Sequence, residues 1–143
     1  MSKVTNSGKL LENLTALHNR LAARLVPALA AGAQELLDRS LDLVPRDTEA
    51  LADSGHKRQI GSGLQTQFIV GYGSLGDVFG IRLSLHGSTA GQLVSRHPYD
   101  YASVVHEDME MKHDPGQQAK FLEQPLYMNQ REIIVAINQS LGV

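Results

Sequence analysis

The stretch Leu64-Gln-Thr-Gln-Phe-Ile-Val-Gly-Tyr-Gly-Ser-Leu-Gly-Asp-Val-Phe-Gly-Ile-Arg-Leu-Ser-Leu-His86 decides the fold. In it Leu64, Thr66, Phe68, Val70 and Tyr72 alternate with Gln65, Gln67 and Ile69. Phe79, Ile81, Leu83 and Leu85 then alternate with Gly80, Arg82, Ser84 and His86. Side chains two apart share one face of a strand, so each run predicts a strand with an apolar face. Gly73-Ser-Leu-Gly-Asp77 between them supplies a turn, and the whole reads as an antiparallel hairpin. The segment Gly71-Tyr-Gly-Ser-Leu-Gly76 also fits the dinucleotide-binding spacing. That site needs a helix directly after the glycines, with its N-terminus on the pyrophosphate. A strand pattern follows instead, so the glycines are read as a turn.

On the N-terminal side, Lys9 to Val44 reads as a helix. Leu10, Leu14, Leu17, Leu21 and Leu25, then Ala28, Leu29, Leu36, Leu37 and Leu41, recur at steps dominated by three and four residues. Pro27 removes a donor and crowds the preceding turn, which predicts a kink or break near Leu25-Val26. It also interrupts any heptad, so the stripe is expected to pack on the sheet and not in a coiled coil. Residues 46–55 read as a short helix, with Asp47 or Thr48 as the cap and Ser54-Gly55 as the stop.

On the C-terminal side, the polar segment Gly87–Pro98 reads as a mobile loop, and Tyr101–His106 as a third strand. Residues 125–141 read as a helix, with Pro125 in its first turn and Leu126, Ile133, Ile134, Ile137 and Leu141 on its apolar face. The sum for residues 1–143 is one α+β domain, with a long N-terminal helix and a C-terminal helix packed on a small antiparallel β-sheet.

Composition narrows the function. The chain has no cysteine, so it has no disulfide or thiol chemistry. Net charge is -2. Residues 1–46 carry six basic and four acidic side chains, and residues 105–143 carry three and six. Neither end makes the concentrated basic face that duplex DNA binding requires. The N-terminus has no apolar signal region and no run reaches the ~20 residues that span a bilayer, so no membrane contact is expected and synthesis is placed in the cytoplasm.

His106-Glu107-Asp108 and His113-Asp114 gather ligand-type side chains. His106-Glu107 opens like a zinc-protease helix, but Glu110 stands where the second histidine belongs. Glu107 and Asp108 point to opposite sides of a continuing strand, which makes them poor acid/base partners. No Gly-x-Ser-x-Gly elbow is present. The expectation is no enzyme, no cofactor and no bound metal. A small metal-dependent hydrolase built on residues 106–114 is the alternative from a different class.

Read in order, the segments Val44-Pro-Arg-Asp-Thr-Glu-Ala-Leu-Ala-Asp-Ser54, Tyr101-Ala-Ser-Val-Val-His-Glu107 and Gly116-Gln-Gln-Ala-Lys-Phe-Leu-Glu-Gln-Pro-Leu126 resemble the tail-completion, neck or minor capsid proteins of tailed bacteriophages. The family pattern Pro-x-Asp-Thr-Gly-x-Leu-x-x-Ser has Glu49 in place of its Gly, which favours a continuous short helix here. The resemblance implies a structural virion protein that forms a ring, commonly a hexamer, between the capsid connector and the tail. Its implied partners are copies of itself and other neck and tail proteins, with genomic DNA only passing through the lumen. A tail terminator is the neighbouring alternative. A modest negative charge suits such a lumen, since it would not hold passing phosphates. Under this resemblance the polar loops become docking elements, and His86, Gln92, Arg96, His106, Glu107, Asp108, His113 and Lys120 are the candidate contact residues.

Overall fold

The computed structural model describes residues 2–46, 49–73, 79–85, 93–95, 102, 106–110, 113 and 115–142. Helix α1 spans Ser2–Leu41. Next come α2 (Ala50–Asp53), strand β1 (His56–Ile60), a single 3₁₀ turn (Gly63–Gln65), β2 (Gln67–Tyr72), β3 (Phe79–Ser84) and β4 (Leu93–Ser95). Helices α3 (Glu123–Met128) and α4 (Gln130–Leu141) complete the order. The fold is α+β, as the sequence predicts.

The sheet is an antiparallel meander in the order β1-β2-β3-β4. The expected hairpin is its centre, with Phe68 opposite Leu83, Val70 opposite Ile81 and Tyr72 opposite Phe79. Opposed residues share a face, so these make one apolar surface. That surface packs with Leu29, Ala33, Leu36 and Leu37 of α1, and Val44, Leu51, Ala52, Phe121, Leu122 and Ile133 close the core around it. Gly71 pairs with Gly80. A Cβ at Gly80 would lie 2.4 Å from the Val70 carbonyl oxygen, so the strands meet there only because Gly80 has no side chain.

Five expectations need correction. First, of the kink or break expected near Pro27, the break is absent, and α1 is one continuous helix through it. Pro27 and Ala23 are both exposed, so the carbonyl freed by the missing N–H faces water. Second, the leucine stripe packs on the body only from Ala28 onward. Leu10, Leu14, Leu17 and Leu21 are 59%, 52%, 47% and 43% exposed. Third, Ala102, His106 and Glu107, the described residues of and beside the segment expected as a third strand, are helical, and Tyr101 and residues 103–105 lie outside the described residues. The fourth strand instead lies inside the segment expected to be a loop, where Leu93–Ser95 pairs with β3. Fourth, the short helix is confined to Ala50–Asp53, because Glu49 takes a left-handed conformation at φ 61°. The expected caps Asp47 and Thr48 lie outside the described residues. Fifth, the C-terminal helix begins at Glu123 and divides at Asn129, and Ile134 faces solvent at 54% exposure.

Strand β1 had no expectation. His56-Lys-Arg-Gln-Ile60 lacks an apolar alternation because it is an edge strand, half out of the core. Lys57 and Arg58 sit where edge strands commonly carry charge against unwanted pairing.

Candidate functional site

The acid-rich segment that looked like chemistry is built as a clasp. His106 is fully buried between Phe79 and Phe121, with ring centroids 4.8 and 5.0 Å away. Both of its ring nitrogens have partners. Nδ1 donates to Glu107 Oε1 at 2.7 Å, and Nε2 accepts from the Glu123 backbone N–H at 3.4 Å. Those two bonds assign the proton to Nδ1 and leave the ring neutral. Burial pushes its pKa below the ordinary histidine value, and this outweighs the opposite pull of Glu107.

Lys120 closes the clasp. Its Nζ donates to Glu107 Oε2 at 2.5 Å and lies 3.6 Å from Glu123 Oε1. Hydrogen bonding to Glu107 raises the Lys120 pKa. Burial acts to raise that of Glu107, but the bonds from Lys120 and His106 prevail and hold its carboxyl below the usual range. The Lys120 backbone N–H also donates to the His106 carbonyl at 2.8 Å, and Gln118 N–H donates to the Leu43 carbonyl at 2.9 Å. The chain from 117 to 123 is thereby stitched to His106 on one side and to the end of α1 on the other.

His106, Glu107 and Glu123 bring three ligand-type atoms within 4.8 Å of one another. The positive charge that such a group attracts is supplied by the Lys120 ammonium, which already bonds Glu107. The residues present therefore suit an internal ion pair better than a divalent ion.

The expected contact residues separate. His106, Glu107 and Lys120 come together in the clasp. Asp108 is exposed next to them, and its Oδ1 accepts from the Glu110 N–H at 3.0 Å. His113 is half-buried, with both ring nitrogens unpartnered among the described residues. His86, Gln92 and Arg96 lie outside the described residues. Glu123 and Phe121 were missed. Their approach to His106 is a tertiary contact, and no local spacing signals it.

The larger exposed feature is the outer half of α1. Every side chain from Ser7 to Leu21 is exposed, and Leu10, Leu11, Leu14, Leu17 and Leu21 are among them. A 40-residue helix is about 60 Å long, and its outer half is exposed from Ser7 to Leu21, with His18 lying over the 3₁₀ turn at Gly63. A second feature is an open groove of about 230 Å³ between α1 and α4, lined by Glu35, Arg39, Arg131, Glu132, Val135, Ala136 and Gln139. Its charges are mixed, and Arg39 is already paired with Glu35 at 2.9 Å. No helix among the described residues is long and apolar enough to cross a membrane.

Comparison with known protein families, curated proteins and solved structures finds no match in any of the three.

Proposed function

We propose that this chain is a structural assembly protein of a tailed-bacteriophage virion, a subunit of a ring at the head–tail junction in the neck or tail-completion position. The observation that carries the reading is the exposed apolar surface. Leu10, Leu11, Leu14, Leu17 and Leu21 stand in solvent on α1, with Met109, Tyr127, Met128 and Ile134 exposed elsewhere. A contiguous exposed apolar stripe such as the one on α1 fits contact with other proteins. The ligand-type residues, by contrast, are spent on one another in the clasp. Glu49 adds support from the backbone: it is left-handed at the position where the family pattern has Gly, so the local turn fits that pattern despite the substitution.

In this reading copies of the chain surround a lumen through which DNA passes, and the other neck and tail proteins bind above and below. The exposed Asp108 and the neighbouring segment to Gly116 are contact elements, and the clasp gives them a fixed base. The test is electron microscopy of purified virions carrying an antibody against the chain. Label at the head–tail junction, together with ring particles of the purified protein, is the expected result. A protein absent from purified virions sinks the reading, and label at the tail end of the neck selects the terminator position.

A further inference from the structure

We propose that the outer half of α1 pairs antiparallel with the same segment of a second copy, forming a two-fold joint. The proposal goes beyond the ring reading and does not depend on it. Residues about 18 apart on an α-helix are five turns apart and lie on one line. Leu10, Leu14, Leu17 and Leu21 therefore continue the line of Ala28, Gly32, Glu35 and Arg39. Helix α4 covers that lower line. A Cβ at Gly32 would be 2.9 Å from Ile137 and 3.5 Å from Ile133, and Glu35 and Arg39 border a groove with Arg131 and Glu132. As α1 numbers fall, α4 numbers rise, so the two helices are antiparallel. Helix α4 ends at Leu141, whose carbonyl accepts from Arg24 Nη2 at 2.8 Å. Above Arg24 nothing among the described residues covers the same track, and it is lined by exposed leucines. What fits it is another helix, running in the direction of α4.

The leucine spacing selects the occupant. Positions 10 and 21, and positions 14 and 17, are symmetric about the point between Thr15 and Ala16. A two-fold antiparallel pair therefore sets Leu10 against Leu21 and Leu14 against Leu17 of the other copy, every leucine meeting a leucine. A parallel pair would instead set Arg20 and Arg24 against their own copies and crowd both folded bodies at one end. The antiparallel pair keeps the bodies at opposite ends. The four leucines of each copy leave roughly 700 Å² for a pair to bury, and the side chains flanking them bring the joint towards the ~1,000 Å² at which specific interfaces begin.

The chain has no cysteine, so engineered disulfides report the geometry without interference. Sedimentation velocity of the full chain between about 1 and 100 μM is expected to show a species of twice the 15.6 kDa chain mass growing with concentration. A Leu10→Cys/Leu21→Cys chain, oxidised gently, is expected to give 10–21 intermolecular disulfides on peptide mapping. Leu14→Glu/Leu17→Glu is expected to stay monomeric with an unchanged circular-dichroism spectrum, since both side chains are exposed. Three results overturn the proposal: a monomer throughout the range, 10–10 and 21–21 disulfides, or a monomer that sediments only with phosphatidylglycerol vesicles. A pair found by all three measurements in a protein absent from virions leaves this joint standing and removes only the ring reading.

Discussion

Glu49 sits at φ 61°, where an L side chain crowds its own backbone and glycine does not. Among the described residues its side chain makes an exposed ion pair with Arg46 at 3.2 Å, a type of contact that adds little. Glu49→Gly is therefore expected to stabilise the protein by about 1 kcal/mol, read as a rise in the urea midpoint at constant slope. A fall in the midpoint would mean that the Arg46 pair matters more than the backbone. His106 gives a second measurable consequence. Its folded pKa is depressed by burial, so the unfolded chain takes up a proton at a higher pH than the native one does. The contribution is complete above the unfolded value of about 6.5 and is lost as pH falls below it. Thermal unfolding from pH 8 to pH 5 should show a declining midpoint. His106→Gln should start roughly 2 kcal/mol lower, because the Glu107 and Glu123 bonds and the ring packing are lost, and then decline less steeply over the same range. Parallel declines in both proteins would assign the acid sensitivity to some other group.

Periodicity found the elements that are half-buried with one face inward, and it failed where burial is set by distant chain. The β2–β3 hairpin was legible because Phe68, Val70, Tyr72, Phe79 and Ile81 all point to one core face. Strand β1 was not legible, since an edge strand of Lys, Arg and Gln hides no apolar row. Leu93–Ser95 is three residues long, too short for alternation to register, and it joins the sheet by pairing with β3. Tyr101–His106 reads as a strand because its valines favour strands, a weak and context-dependent preference, whereas its described residues Ala102 and His106 are helical. In α1 the leucine repeat gave the helix correctly and its partner wrongly. A stripe states that a face is apolar; it does not state what covers it. Pro27 costs about 3 kcal/mol locally in a helix interior, yet Leu29, Ala33, Leu36 and Leu37 packed in the core hold the helix beyond it. The candidate site was legible in composition alone. His106, Glu107 and Lys120 were singled out, but the ring contacts with Phe79 and Phe121 that make His106 a structural pin join residues far apart in the chain.

The molecule as a whole divides its longest helix between two tasks, and the division can be measured. From Ala28 onward α1 is a wall of the core, while residues 7–21 contribute no buried side chain. Deleting residues 1–16 keeps His18, which lies over Gly63, and leaves a helix of about 25 residues, still well above the length at which tertiary contacts sustain a helix. At a chain concentration low enough to leave the protein monomeric, the truncated and full chains should unfold within about 0.5 kcal/mol of each other, as expected for changes at exposed positions. At high concentration they should part. If the outer half of α1 joins two copies, the native full chain gains stability by mass action and its unfolding midpoint climbs with concentration. The truncated chain has lost Leu10 and Leu14 and with them half of the leucine register, so its midpoint should stay flat. Denaturant titrations at about 1 and 100 μM for both chains provide the four numbers needed. A loss of more than about 2 kcal/mol in the truncated chain at low concentration would place residues 1–16 within the cooperative core, contrary to their exposure. A midpoint that climbs equally in both chains would move the association to another surface, with Tyr127, Met128 and Ile134 on α3 and α4 as the next apolar side chains to remove.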